Sequence, residues 1–219
     1  MIGGHPGGIR LTGRLLELAG AAAPGNRPVE TDQKVLDLGA GSGETVRYLR
    51  SLGYDAAGID READVTLHSP GANPVTAGDM TALPFPDGSY DLCLAECSVA
   101  VCGDGPAALR EAYRVLRPGG SLLLSDVFFA KENAPCLSMP GPLTLSCWER
   151  EFHRAGYVIE KVSDETALWK EFFLKSLWND NADDAFCGFF KEAGRAGCGY
   201  FLAWLKKPEQ SKGEKDGFI

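Results

Sequence analysis

From Lys34 onward the chain alternates short apolar runs with stretches whose apolar positions recur at helical spacing. That alternation is the pattern of a parallel sheet covered by helices. KVLDLG (34–39) predicts a buried strand, and ETVRYLRSLG (44–53) a helix with Val46, Leu49 and Leu52 turned inward. YDAAGID (54–60), NPVTAGD (73–79) and YDLCLAE (90–96) read as three more strands, the last preceded by LPFPDGS, whose prolines and Asp-Gly pair mark a loop. Asp104 is placed to cap a helix with Pro106 in its first turn, carrying Leu109, Ala112, Tyr113 and Leu116 on one face until RPGG (117–120) stops it. SLLLSDVFF (121–129) is the most apolar strand and is expected to be central.

Beyond it, WEREFHRAG (148–156) reads as a helix ended by Gly156, YVIEKVSDE (157–165) as a strand, and 167–193 as a helical stretch rich in Trp and Phe. GYFLAWLKK (199–207) is a last strand with no helix behind it, which predicts an antiparallel strand at a sheet edge. Upstream, IRLTGRLLELAGAA (9–22) reads as a helix with Leu11, Leu15 and Leu18 on one face.

With 219 residues, 44% of them apolar, the chain is long enough for one domain and a small cap. The expected division is a single domain over residues 1–207, its helical cap over about 1–30, and a solvated tail at 208–219. No apolar run is long enough to cross a bilayer, and MIGGHPGGIRLTG lacks the apolar core of a signal peptide, so a cytoplasmic chain is expected. Twenty-two basic against 30 acidic residues give a net charge of −8, which disfavours nucleic acid as a partner. The seven cysteines show no CxxC spacing, and His5, His68 and His153 are scattered, so neither a zinc site nor a disulfide framework is expected. His153 reads as structural, on a surface helix; His5, in GGHPGG, is a candidate lid residue.

The chemistry concentrates in VLDLGAGSGET (35–45), where a strand runs into Gly39, Gly41 and Gly43 and then a helix. Such glycines let backbone approach a ligand while the first N–H groups of the helix point at it. A dinucleotide site wants G-x-G-x-x-G, whereas here the spacing is G-x-G-x-G with Asp37 just upstream. Asp60 ends the second strand, placed to accept both hydroxyls of a ribose, and Asp79 follows the third, next to Met80. Three carboxylates at successive strand ends, with no phosphate-binding basic residue, suit a cationic nucleoside better than a nucleotide. Each has a plainer reading: Asp37 as a turn cap, Asp60 as a helix start, Met80 as core, and Glu96 as a buried acid paired with Arg110 or Arg114.

DLGAGSG, Asp60, GDM (78–80), LPFPDGSYDLCLAE and VLRPGGSLLLSD together resemble the class I S-adenosylmethionine-dependent methyltransferases, particularly the small-molecule branch with the ubiquinone and menaquinone enzymes. The resemblance covers roughly residues 9 to 207. It implies a Rossmann-like three-layer α/β/α sandwich with a seven-stranded, mostly parallel sheet of order 3-2-1-4-5-7-6 and strand seven antiparallel. It also implies S-adenosylmethionine as cofactor and in-line methyl transfer to a small-molecule acceptor by a monomer or homodimer. Carried over by position, Asp37, Gly39, Ala40, Gly41 and Gly43 would hold the methionine part of the cofactor. Asp60, with Arg61 beside it, would bind the ribose, and Gly78, Asp79 and Met80 would face the adenine. Glu96 and Cys97 would lie near the amino acid end and the transferred methyl. Ala40 stands where the family commonly has cysteine, at a position that only needs to be small.

Residues 125–157 also resemble the stretch after strand five in arsenite methyltransferases, where a cysteine binds the metalloid as thiolate. That reading offers Cys136 or Cys147, with Cys97 or Cys102, although no cysteine precedes Cys93 and a cysteine-rich C-terminal extension is missing. A catalytically silent cofactor-binding module is a further alternative. A nicotinamide-dependent oxidoreductase lacks its glycine spacing here. Trp169, Phe172, Phe173 and Trp178 are expected as core or dimer contacts.

Overall fold

The computed structural model describes residues 7–21, 32–63, 75–130, 144–178 and 193–209. Its elements follow one another as α1 (Ile9–Leu18), β1 (Lys34–Leu38), α2 (Glu44–Ser51), β2 (Asp55–Asp60), β3 (Val75–Ala77), β4 (Tyr90–Glu96) and α3 (Gly105–Val115), then β5 (Leu116–Phe129), α4 (Leu145–Ala155), β6 (Val158–Asp164), α5 (Thr166–Trp178) and β7 (Cys198–Lys206). The seven strands form one sheet of order β3-β2-β1-β4-β5-β7-β6. β3, β2, β1, β4 and β5 run parallel, and β7 pairs antiparallel with both β5 and β6. This is the Rossmann-like sandwich and the strand order that the resemblance implies.

The alternating pattern alone put the last strand at an edge; the structure puts it inside, between β5 and β6. Its residues explain why. Seven of the nine positions of β7 are buried, and an edge would leave that face and its backbone groups open to water. β6 takes the edge, with no fully buried position. A second correction concerns RPGG, expected as a helix stop before the strand. Helix α3 does end at Val115, but β5 begins at Leu116, which pairs with Tyr90. Gly119 N–H donates to the Lys207 carbonyl and Lys207 N–H to that of Gly120, so the segment extends the ladder. α4 begins three residues earlier than expected, capped by Thr144, whose side chain accepts from Cys147 N–H. Of the helical stretch 167–193, α5 accounts for the part up to Trp178; residues 179–192 lie outside the described residues.

One core runs through both faces of the sheet. Trp148 is fully buried against Phe152 and Phe201, and its indole N–H donates to the Val127 carbonyl at 3.0 Å. On the opposite flank, Leu11, Leu15 and Leu16 seat α1 on the sheet. His153 is exposed on α4, as expected.

Trp148→Ala removes a fully buried indole together with the partner of a buried carbonyl. The expected loss is about 3–5 kcal/mol, read as a lower urea midpoint with unchanged slope.

Candidate functional site

All parallel strands end on the same side of the sheet, so the loops after β1, β2 and β4 converge there. The β1–α2 loop is shaped by backbone contacts: Gly39 and Ala40 N–H groups both donate to the Ile59 carbonyl, and Gly43 N–H to that of Ala40. Gly39 sits at φ +79, and a Cβ there would lie 2.5 Å from that of Ser98. Only glycine lets this loop and the loop after β4 touch. Ser98 Oγ fixes the contact by donating to the Leu38 carbonyl at 2.7 Å. At Gly41 the opposite holds, for a Cβ would meet nothing within 4 Å, so its face is open to a ligand.

Between these loops lies a cleft of 210 Å³ lined by Asp37, Ala40, Gly41, Thr45, Glu96 and Cys97, with Gly39, Ser42 and Glu44 on its walls. Asp37 is 3% exposed, and no described side chain forms an ion pair with it. Burial pushes its carboxyl well above the usual range, and the neighbouring Glu96 and Asp60 push it further. Glu96 is nearly as buried, and burial raises its pKa to about 7. Its oxygens accept from Thr12 Oγ1, at 3.0 and 3.2 Å, and from Thr45 Oγ1 at 3.2 Å. The expected partners Arg110 and Arg114 are therefore not its partners; Arg114 instead pairs with Glu111 and Asp87.

Asp60 reaches across from β2, its Oδ2 accepting from Gly41 N–H and its Oδ1 from Glu62 N–H, both at 2.8 Å. The loop N–H that a phosphate would seek is already held by a carboxylate, which disfavours a pyrophosphate here. Arg61, Gly78 and Asp79 form a neighbouring rim, and neither they nor the buried Met80 line the cleft. Asp79 accepts from Thr81 N–H and Oγ1 and pairs with Arg61 at 2.9 Å; these bonds hold its carboxyl below the usual range, Thr81 first. Met80 is 8% exposed and packs in the core, its plainer reading. Gly78 lies tight against Ile59, where a Cβ would come within 2.6 Å.

Cys97 follows β4 at φ +54, a left-handed conformation uncommon outside glycine. Its sulfur meets Tyr200 Oη at 3.1 Å, and Tyr200 donates to Ser125 Oγ at 2.8 Å. The one phenolic proton goes to Ser125, so the Cys97 thiol is the donor to Tyr200. Burial and the nearby Asp126 raise its pKa, which keeps it a thiol. Cys102 Sγ donates to the Val99 carbonyl, Cys147 accepts from Arg150, and burial pushes Cys198 up to about 12. Among the described residues no cluster of three His, Cys, Asp or Glu could hold a metal ion. Burial keeps Cys97, Cys102 and Cys198 as thiols, which does not favour a thiolate metalloid site; Cys136 and His5 lie outside the described residues.

Several contributors went unread in the sequence. Ser42, Glu44 and Thr45 line the cleft, and their adjacency to the last glycine is the signal that could have found them. Thr12, 84 residues from Glu96, left no such signal. Asp126, fully enclosed at the end of β5, accepts from Ala100 and Val127 N–H groups and so anchors the loop after β4; burial raises its pKa to about 7.

Comparison with known proteins agrees with this geometry. Residues 36–124, which carry the glycine loop, β4 and the start of β5, match the family described as methyltransferase domain. Over that span the chain is similar to methyltransferase domains. It is 40% identical over 100 residues to a malonyl-(acyl-carrier protein) O-methyltransferase of Erwinia billingiae, covering 43% of this chain and 39% of that protein. It is 35% identical over 116 residues to a demethylmenaquinone methyltransferase of Beutenbergia cavernae, covering 52% and 47%. The chain thus matches less than half the length of these relatives. In fold it is similar to the 4+2 cyclase SpnF, with TM-score 0.73, 20% identity and coverage of 92% and 82%. It is likewise similar to Haemonchus contortus phosphoethanolamine N-methyltransferase 2 in complex with S-adenosyl-L-methionine, with TM-score 0.70, 19% identity and coverage of 94% and 54%. No described helix is long and apolar enough to cross a membrane.

The raised pKa of Glu96 makes a signed prediction. Its folded value, about 7, exceeds the ordinary 4.5, so the folded chain holds an extra proton between these values. The stability linked to that proton is fully present below pH 4.5 and is lost as pH rises through 7. Glu96→Gln, neutral at every pH, should therefore be more stable than the wild type at pH 8, by up to about 3 kcal/mol, and close to it at pH 5. Urea midpoints of both proteins at the two pH values check this.

Proposed function

We propose that the chain is an S-adenosylmethionine-dependent methyltransferase acting on a small-molecule acceptor. One observation carries this reading: two buried carboxylates, Asp37 and Glu96, face a cleft beside a glycine loop that Asp60 closes, and among the described residues no cation lines it. Such a cleft favours a positively charged nucleoside and repels a phosphate. Asp37 and Glu96 would hold the ammonium group of the cofactor, the open face of Gly41 would accept its backbone-like part, and Asp60 would take the ribose hydroxyls through its remaining lone pairs. Asp79 on the rim would face the adenine, with Met80 buried beside Gly39.

When bound, the cofactor supplies a methyl on a sulfonium; as the acceptor's bond to that carbon forms, the carbon–sulfur bond breaks and its pair stays on sulfur as a thioether. The chain's own residues orient and enclose. Thr12 and Thr45 aim the Glu96 carboxylate, and Cys97, kept a thiol by its burial and bonded to Tyr200, presents sulfur without becoming a competing nucleophile. The neighbouring 4+2 cyclase warns that the fold alone does not fix the reaction, and the acidic cleft bears the argument instead.

Calorimetric titration tests this. S-adenosylmethionine and S-adenosylhomocysteine should bind with micromolar affinity and NAD should not. Asp37→Asn and Asp60→Ala should each weaken binding at least tenfold. Because the ammonium favours ionised Glu96, binding near pH 6.5 should release protons, seen as a dependence of the heat on buffer ionisation enthalpy, and Glu96→Gln should reduce that dependence. Appearance of S-adenosylhomocysteine with an acceptor present separates an enzyme from a silent binder. Failure of the wild-type protein to bind either sulfur nucleoside overturns the reading.

A further inference from the structure

Between β3 and β4 the chain forms first the rim at Asp79 and then a loop that a single arginine holds. Pro84 and Pro86 have no N–H to give, and each biases the residue before it to extended backbone, so the loop is short of donors for its own carbonyls. Arg114, on α3, supplies them. Its Nη2 donates to the Leu83 carbonyl at 2.9 Å and its Nη1 to the Phe85 carbonyl at 2.7 Å. The other three N–H groups go to both oxygens of Glu111 and to Asp87 Oδ1, each at 2.8 Å. All five guanidinium donors are then in use. Glu111, one turn earlier on α3, accepts from Leu83 N–H at 2.7 Å. Leu83 is therefore gripped at both its N–H and its carbonyl by one charged pair.

Leu83 follows directly on a tight turn that starts at Asp79. Ala82 N–H donates to the Asp79 carbonyl at 3.1 Å, and Asp79 Oδ1 accepts from Thr81 N–H and Oγ1. Asp79 Oδ2 accepts from Arg61, which leaves it a lone pair, and 41% of the side chain is exposed. Met80, inside the turn, reaches the glycine loop: its Cε lies 3.1 Å from where a Cβ on Gly39 would be. A displacement of Leu83 is thus passed to the Asp79 carboxylate. Neither Glu111 nor Arg114 lines the cleft itself.

We propose that Glu111 and Arg114 are positioning residues for the cofactor's base: through Leu83 they hold the Asp79 turn so that its free lone pair receives the exocyclic amino group of adenine. The proposal rests on the methyltransferase reading and gives it a source of base selectivity outside the cleft. A 6-oxo purine puts an acceptor oxygen where adenine carries its amino group, and a carboxylate held in place has no proton to offer it.

Calorimetry with S-adenosylhomocysteine and its 6-oxo analogue, S-inosylhomocysteine, tests this on the wild type, Arg114→Lys, Glu111→Gln, Asp79→Asn and the double variant Asp79→Asn with Arg114→Lys. The wild type should prefer the adenine compound at least tenfold, the worth of one hydrogen bond to a charged group. Arg114→Lys keeps the charge but loses the fork, and should cut that preference to threefold or less by weakening the adenine compound while leaving the 6-oxo compound unchanged. Glu111→Gln should act in the same direction, and it carries the test if urea melts show Arg114→Lys to be unfolded. On the Asp79→Asn background, Arg114→Lys should leave the ratio of the two affinities where it is. If the folded variants keep the wild-type ratio, with both affinities intact or falling together as a loss of stability alone would make them, the positioning role is refuted and the cofactor site stands. A further fall in the ratio on the Asp79→Asn background also refutes it, since Arg114 then acts elsewhere. If the wild type binds both compounds alike, Asp79 does not read the base and this inference falls alone. If the wild type binds neither, the methyltransferase reading fails first.

Discussion

Two carboxylates, Asp37 and Glu96, are forced together by the pairing of β1 with β4, which sets Leu38 opposite Ala95 and brings both strand ends to one place. Neither can leave, since each belongs to the buried face of its strand. Burying acids is costly, and the fold lowers that cost by raising their pKa values and by giving Glu96 two hydroxyl donors. A ligand bringing positive charge relieves the same strain directly. The cleft is thus an energetic complement to a cation before any ligand arrives.

This constraint also explains how α1 is attached. Its apolar face packs on the sheet, but its register is set by polar contacts. Thr12 reaches Glu96, and Arg14 forms a two-pronged pair with Glu165 at 2.6 and 2.8 Å, ahead of α5. Tyr54 closes the far end by donating to the Ala21 carbonyl. Arg14 is half exposed, so that pair contributes modestly to stability, and its main effect is positional. The helix ties the cofactor cleft to the β6–α5 corner, and β7 supplies the second link through Tyr200.

The sheet itself is indifferent to chemistry, as the similarity to both a cyclase and an N-methyltransferase makes plain. What distinguishes this chain is the content of its loops. An Asp on the Gly41 N–H disfavours phosphate, and a thiol kept protonated by burial lines the cleft beside a buried phenol.

The alternation of apolar runs and amphipathic stretches sufficed for the element order. The glycine loop with its strand-end acids sufficed to locate the cleft, because both are local patterns: burial periodicity and backbone freedom are written residue by residue. Asp37, Gly41 and Glu96 were legible for that reason. Thr12, Asp126 and Tyr200 were not, because nothing near them in the chain distinguishes a threonine on a helix face or a tyrosine in a strand. Their roles come from contacts spanning 26 to 103 residues. The internal pairing of Asp79 with Arg61 and the burial of Met80 belong to the same class. The sequence determined which segments would be buried and where an acid-lined loop would sit. Which side chains from distant segments would meet there was decided only when the sheet closed, since hydrogen bonds and electrostatic interactions act over a few ångströms of space whatever the distance along the chain.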